Sequence, residues 1–429
     1  MTLRPDDLAA RELDSRLERD VEAPLAVAFS GGGDSLALLL AADAWARRAN
    51  RRLIALTVDH GLQASSATWS AWCAARAARQ GVAYRSLSWA GDKPRAGLAS
   101  AARVARHSLI VDAAREEGAR VILFGHTADD VLEAEAMRAE GLPVPSPRPW
   151  SPSPVWPAGR DLYILRPLIA VRRSRLRDWL AERGETCIDD PANEDMRQPR
   201  ARARALVAAV RGAHPAPAPR IDLSSVFAAA RFGPSGDVTL PAELLTAATP
   251  TERRRFLDAM IASVAGAERI AHGPFFFRLG EMAARGEAFV STVGGALTTC
   301  DGMSLTVARE AQDRRSRATP TTPLPAGETV VWDGRFEARA IEAGLTLAPL
   351  AGRAAKLGKA ERARLTGLAP AVRRALPALI DADGEVSCPT LAQDPRLQIR
   401  SLVAARLAGA CGMVQKEAEI AEAGHALVL

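Results

Sequence analysis

The chain is expected to be an α/β protein built on a doubly wound parallel sheet. Three observations predict this. Strand and helix patterns alternate over the first two hundred of its 429 residues, one strand runs through a glycine loop straight into a helix, and the strand-like runs end in polar residues. The first buried strand is Leu25-Ala26-Val27-Ala28-Phe29, followed by Ser30-Gly31-Gly32-Gly33-Asp34-Ser35 and a helix to about Asn50. Leu53-Ile54-Ala55-Leu56-Thr57-Val58 is a second strand, ending in Asp59-His60-Gly61. A helix across Trp69 to Gln80, a strand near Val82 to Trp89, a long helix from about Leu98 to Gly118 and the strand Arg120-Val121-Ile122-Leu123-Phe124 complete the series. In such sheets ligands bind beyond the carboxyl ends of the strands. The groups that fall there are Ser30 to Ser35, Asp59-His60 and Gly125-His126, whose convergence predicts one active site.

The glycine loop defines the chemistry. Glycines let backbone N–H groups turn inward, and the helix that follows offers unpaired donors and a positive dipole end, a cradle for a phosphate-sized anion. No Gly-Lys-Ser/Thr closes it and no G-x-G-x-x-G is present, so neither the nucleoside-triphosphate loop nor the dinucleotide turn fits. Asp34 between two serines makes sense if magnesium bridges acid and phosphate, or if the acid meets an incoming amine. The loop resembles the pyrophosphate loop of the N-type ATP pyrophosphatases.

Composition narrows the class without deciding it. The length suggests two or three domains, and the net charge of +6 points mildly to an anionic partner such as nucleic acid. The basic residues are almost all arginine in an alanine-rich chain, a bias that a GC-rich genome would also produce. No apolar run reaches the ~18 residues of a membrane span. A signal-like N-terminus is missing as well, so a cytoplasmic protein with no membrane partner is expected. Cys73, Cys187, Cys300, Cys388 and Cys411 are far apart with no C-x-x-C, which leaves zinc, iron–sulfur and disulfide frameworks unsupported.

His126-Thr127-Ala128-Asp129-Asp130 opens the next helix, with Thr127 placed as N-cap and Glu133 one turn on. Capping explains one acid; a histidine with three acids at a strand end suggests a substrate or magnesium role. Together with Val58-Asp59-His60-Gly61-Leu62, Ala102-Arg103-Val104-Ala105-Arg106, Leu165-Arg166-Pro167-Leu168 and Asp189-Asp190-Pro191-Ala192-Asn193 leading to Arg200 and Arg204, these motifs resemble the tRNA(Ile)-lysidine synthases over roughly residues 20 to 210. Ala192 and Val131 stand where that family often has serine and glutamine. The stretch from Gly141 through Pro157 is proline-rich where the family usually carries a glycine-rich basic loop.

The resemblance implies an enzyme that uses ATP to adenylate the C2 oxygen of the wobble cytidine in the CAU anticodon of isoleucine tRNA. The ε-amine of free L-lysine then displaces AMP and forms lysidine. It implies ATP and Mg2+ as cofactors, with Ser30, Gly31, Gly32, Gly33, Asp34, Ser35, Asp59 and His60 around the nucleotide. Asp34, Arg103, His126, Asp130 and Glu133 are the candidate catalytic residues, and Asp34 and Asp130 the candidate metal ligands. Asp34, Asp130 and Glu133 all remain candidates for holding the lysine ammonium. Arg106, Arg200, Arg204, Arg253 and Arg254 are candidate tRNA contacts, and a homodimer is among the expected partners. A tRNA thiolase of the same superfamily and a non-catalytic RNA-binding relative are the alternatives.

The catalytic domain is expected over 1–213, ending at the stiff linker His214-Pro215-Ala216-Pro217-Ala218-Pro219. A middle domain over 220–310 reads as helical to about 290, then as a hairpin from Ala296 to Val307 turning at Asp301-Gly302. A mixed α+β C-terminal domain is expected over 328–429, with strands at Glu328 to Trp332 and Gln398 to Val403 and a helix at Lys359 to Leu365. By resemblance, these downstream parts would grip tRNA.

Overall fold

The computed structural model describes residues 3–62, 66–94, 96–142, 144–189, 195–210, 215, 223–268, 274–310 and 319–420. Asp190-Pro191-Ala192-Asn193 and all of the proline linker except Pro215 lie outside the described residues. The chain divides into two compact units, Met1–Pro219 with Gln415–Ile420, and Arg220–Val414 with Ala421–Leu429.

The first unit begins with helix α1 (Pro5–Arg16), strand β1 (Leu25–Ala28), α2 (Gly33–Arg48), β2 (Leu53–Asp59), α3 (Ser66–Gln80), β3 (Ala83–Ser88), α4 (Leu98–Glu116) and β4 (Val121–Leu123). It continues through α5 (Ala128–Ala139), β5 (Trp150–Pro152), β6 (Tyr163–Leu165), α6 (Arg173–Ala181) and α7 (Pro199–Ala209). The strands form one sheet in the order β3-β2-β1-β4-β6-β5, parallel except for β5. Right-handed crossovers carry the chain outward from β1 to β3 and then back across to β4, so α2 and α3 cover one face and α4 the other. Ala26, Ile54, Leu56 and Ile122 pack with Ile110, Val111 and Ala114 of α4. The order reverses between β1 and β4, which is where a doubly wound sheet opens its ligand crevice. Ser30–Ser35 leaves β1 there and His126 leaves β4.

Part of the proline-rich stretch is itself sheet. Trp150, Ser151 and Pro152 pair antiparallel with Leu165, Ile164 and Tyr163, and the Trp150 and Tyr163 rings stack at 5.0 Å. An edge strand is where a sheet tolerates proline, since one side of its backbone needs no partner.

In the second unit the order is α8 (Ser224–Ala228), β7 (Arg231–Phe232), β8 (Val238–Pro241), α9 (Glu243–Ala247), α10 (Pro250–Ala265), α11 (Pro274–Ala284), β9 (Phe289–Val293), β10 (Ala296–Cys300) and β11 (Ser304–Arg309). The expected helical stretch is interrupted by β7 and β8, where Val238 and Leu240 alternate inward along the chain. The expected hairpin forms, with Asp301 Oδ1 accepting from the Met303 and Ser304 amides and Gly302 at φ +92°. The rest comprises β12 (Thr322–Leu324), β13 (Thr329–Trp332), β14 (Phe336–Ala340), β15 (Leu345–Pro349), α12 (Lys359–Leu365), α13 (Pro370–Ala375), β16 (Pro377–Ile380), β17 (Val386–Ser387), β18 (Leu397–Ser401) and α14 (Val403–Cys411). Val403, Leu407 and Cys411 of α14 sit in the same core as Phe256, Met260 and Val307, so residues 220–310 and the C-terminal stretch share a core.

Candidate active site

Helix α2 starts at Gly33 with Gly32 as N-cap and no side-chain cap from it; the Gly33 amide bonds toward the Cys187 thiol, and the amides that follow in the first turn, with the positive end of the helix dipole, face the space where an anion would sit. Ser35 Oγ donates to Gly32 O at 2.9 Å and accepts from the Ser30 amide at 3.3 Å, so the serines brace the loop from within. Gly31 has φ +82°, and an added Cβ would lie 2.5 Å from Ile188 Cδ1, while the Ile188 amide donates to Gly31 O at 3.0 Å. Both the conformation and the space require glycine here. Gly125 meets the loop from the other side, with a Cβ position 2.9 Å from Asp34 O.

Beside the loop lies a cluster of acids and arginines. Arg173, the first residue of α6, reaches Asp34 Oδ2 at 2.8 Å, Glu133 Oε1 at 2.8 Å and Asp130 Oδ2 at 3.4 Å. Its own amide donates to Asp129 Oδ2 at 2.7 Å, and Arg172 Nε reaches the same oxygen at 3.1 Å. From α7, Arg200 bonds Asp130 Oδ1 and Glu133 Oε2, and Arg204 bonds Glu133 Oε1 at 3.2 Å. Glu133 is fully buried, and both its oxygens are taken by guanidinium groups. Asp130 also caps its helix, accepting from the Thr127 amide at 2.8 Å and hydroxyl at 2.9 Å. The capping reading of this acid is realised, and the same carboxylate is also held by Arg173 and Arg200.

Burial raises the Asp34 carboxyl above its ordinary value, with Arg173 opposing. Burial also works against the Asp130 carboxylate, but His126 alongside, Arg173, Arg200 and the Thr127 amide outweigh it and hold the group well below the usual range. Burial lowers the Arg173 guanidinium while its three acids raise it more strongly, so it stays a cation.

A second set is positive and less fully compensated, Asp130 being the acid that acts on both Arg103 and Arg106. Arg103 and Arg106 project from α4, and Arg106 Nε is buried with no hydrogen-bond partner among the described residues. Burial, with Arg103 and Arg200 adding to it, pushes Arg106 down to about 10, so it remains charged at neutral pH at a cost that an arriving anion would relieve. His107 is buried, neither ring nitrogen has a hydrogen-bond partner among the described residues, and the ring stacks on Phe124 at 5.1 Å. Arg166 donates from Nε to His126 Nδ1 at 3.0 Å. At the end of β2, Asp59 Oδ1 accepts from the Gly61 amide. His60 lies edge-on to Trp89 at 5.9 Å, and its pKa is lowered by burial and then by Arg106. Lys93 sits over the Trp89 ring at 4.3 Å, so Trp89 and Lys93 add a wall not singled out above.

The fit to magnesium differs between the two candidate ligands. Mg2+ is usually held by one or two carboxylates together with substrate phosphates. Asp34 fits: it adjoins the loop and only its Oδ2 is engaged in the contacts described. Asp130 has both oxygens on guanidinium groups, so it would join a metal only after Arg173 or Arg200 let go. In the second unit Arg253 is spent inside the fold, on Glu281 at 2.8 Å and on the Leu245 and Ala248 carbonyls, whereas Arg254 is about half exposed. Burial raises the thiol pKa of both Cys73, to about 11, and Cys187, so neither is a thiolate at neutral pH.

The fold and site define a PP-loop ATP-utilising protein, and residues 5–210 match the family model described as the PP-loop domain. The tRNA(Ile)-lysidine synthase of Caulobacter vibrioides is 42% identical over 421 residues, covering 97% of this chain and 99% of that one. That of Brucella melitensis biotype 1 is 35% identical, covering 72% of each, and that of Hyphomonas neptunium is 40% identical, covering 44% and 52%. The chain belongs to the tRNA(Ile)-lysidine synthase family. Among solved structures, the U34-tRNA thiolase NcsA from Methanococcus maripaludis is matched over 47% of this chain and 72% of that one. At 18% identity and a TM-score of 0.39, the likeness is too slight to bear on the argument.

Proposed function

We propose that this chain forms lysidine on isoleucine tRNA, joining free L-lysine to C2 of the wobble cytidine of a CAU anticodon and converting ATP to AMP and pyrophosphate. The observation that carries the reading is the pairing, at one switch point, of a glycine-loop helix that lacks a side-chain cap with Arg106, whose Nε is buried with no hydrogen-bond partner among the described residues. The loop amides take the leaving pyrophosphate, while Arg103 and Arg106 take an anionic group of the nucleotide or the RNA. The cytosine O2 attacks the α-phosphorus of ATP and pyrophosphate leaves. The lysine nitrogen then attacks C2, sheds its proton, and AMP departs with the original O2. Mg2+, where bound at Asp34, would neutralise charge on the phosphates. Asp34, Asp130 and Glu133 set a negative field for the lysine ammonium. Glu133 does so through Arg173, Arg200 and Arg204, which fill its oxygens. The raised thiol pKa values of Cys73 and Cys187 disfavour sulfur transfer. Arg254 in the second unit is the stronger phosphate contact of the Arg253–Arg254 pair because its head group is exposed.

The test is incubation with ATP, radiolabelled lysine and unmodified isoleucine tRNA. Label entering RNA with matching AMP and pyrophosphate is expected. ATP-dependent tRNA modification without lysine incorporation would overturn the reading.

A further inference from the structure

Arg166 and His126 form a pair whose proton arrangement has only one solution. Arg166 is 7% exposed and is held by its NH1 on the Arg148 carbonyl at 2.7 Å and on Ser151 Oγ at 3.2 Å. Those anchors aim its Nε–H at His126 Nδ1, 3.0 Å away. A guanidinium can only donate, so Nδ1 must accept and carries no proton. A neutral imidazole with a bare Nδ1 has its proton on Nε2. The ring itself is fixed by stacking on Phe124 at 5.9 Å, at the point where β4 gives way to the crevice.

We propose that Arg166 is a positioning residue that fixes His126 as a neutral Nε2–H donor facing the crevice, so that His126 stabilises charge in the reaction and is not its base. The inference rests on the lysidine-forming reading for what it donates to, but not for where its proton lies. The charged groups facing the ring are Arg166, Asp130, Arg200 and Arg103. Burial comes first among the influences and, with Arg166, pushes the imidazolium down to about 3, outweighing Asp130. A neutral donor with a low pKa polarises an oxygen without transferring a proton to it, as a histidine does where a helix N-terminus keeps it neutral. In the second step, negative charge grows on the oxygen that departs with AMP, and the Nε2–H donates to it. The proton shed by the lysine nitrogen must then go elsewhere. Asp34 lies beside the loop, and among the described residues its Oδ2 alone is held by a guanidinium.

The test uses full-length protein with 15N-labelled histidine rings and no substrate, the His126 signals being those lost in His126→Gln. A bare Nδ1 and a protonated Nε2 at neutral pH are expected; a proton on Nδ1 would overturn the proposal. This readout needs no turnover, so a failed lysine-transfer assay would sink the functional reading and leave the tautomer standing. Kinetics supply the second arm. Gln places an N–H where Nε2–H stood, so H126Q should keep at least about tenfold more kcat than H126A, whereas a base would be lost equally in both. Arg166→Lys keeps a donor and should retain the tautomer. Arg166→Met should release it and lower kcat by roughly 10²-fold with a smaller change in KM. An R166M variant with native kcat would also refute the role.

Discussion

Arg173 gathers three carboxylates from two helices onto one guanidinium, and among the described residues no other cation contacts Asp34. Removing one partner of a buried ion network leaves charge without compensation, typically at about 3–5 kcal/mol. Arg173→Gln is therefore expected to lower unfolding free energy by a few kcal/mol in chemical denaturation, and Arg173→Lys to recover only part, since an ammonium cannot span three acids. An unchanged denaturation midpoint in R173Q would show the cluster to be slack. His107 offers a pH test. Burial, then Arg106 and Arg103, pushes its pKa to about 3, against about 6.5 unfolded. Between those values the unfolded chain binds the extra proton, so the contribution of His107 is complete above about pH 6.5 and is lost as pH falls toward 3. His107→Phe keeps the stacking on Phe124 and should remove up to about 1.4 kcal/mol per pH unit of acid sensitivity in that window, read from denaturation at several pH values. An unaltered slope would place the proton uptake at His60 or His126. At this scale the loop, His126 and the acids were legible because their types and spacing carry the chemistry. Arg173 was not singled out, although a signal existed: two arginines at the start of a helix oppose its dipole and call for anions nearby.

The elements that place these residues are short, and the glycine loop is the most constrained of them. Substituting Gly31 by Ala meets two separate obstacles, a left-handed φ and a contact with Ile188. We expect G31A to weaken ATP binding at least about tenfold, because re-aimed amides no longer converge on one anion. The double variant G31A/I188A removes the contact with Ile188 but neither the φ strain nor the 3.0 Å approach to Cys73 Sγ, and should stay impaired. Calorimetric ATP binding restored in the double variant would assign the whole effect to packing. The strands β1, β2 and β4 were readable because each is a near-continuous apolar run, as burial on both faces requires, whereas β3 is half polar and β6 is only three residues long. The edge strand β5 was not, since its prolines read as a loop until β6 supplies a partner. The strands β7 and β8 were hidden by their brevity, a two-residue and a four-residue element between helices.

Across the whole chain, the least legible feature is the return of Gln415–Ile420 to the first unit. Six residues carry no periodicity to read, and what fixes them is a set of long-range bonds centred on one buried ion pair. The side chains of Arg51 and Glu417 are both buried to within 1% exposure, joined at 2.9 and 3.0 Å. The Glu18 amide donates to Glu417 Oε2, the Glu417 amide to Arg16 O, and Arg16 NH1 to Gln415 O. Arg51 keeps the Ala23 and Glu18 carbonyls if the acid is lost, yet carbonyls do not neutralise a buried cation. Glu417→Ala is accordingly expected to cost about 3–5 kcal/mol in unfolding free energy. Replacing both partners by apolar groups, as in R51M/E417L, should be nearly neutral, because desolvation of the pair offsets most of its attraction. Amide exchange separates the two effects. In E417A the Glu18 amide loses its acceptor and should exchange faster, while amides of β1 and β2 should follow only the global change. If E417A unfolds at the native midpoint with the Glu18 amide still protected, the C-terminal segment lies on the first unit without holding it, and the stability of that unit must come from its sheet and helices alone.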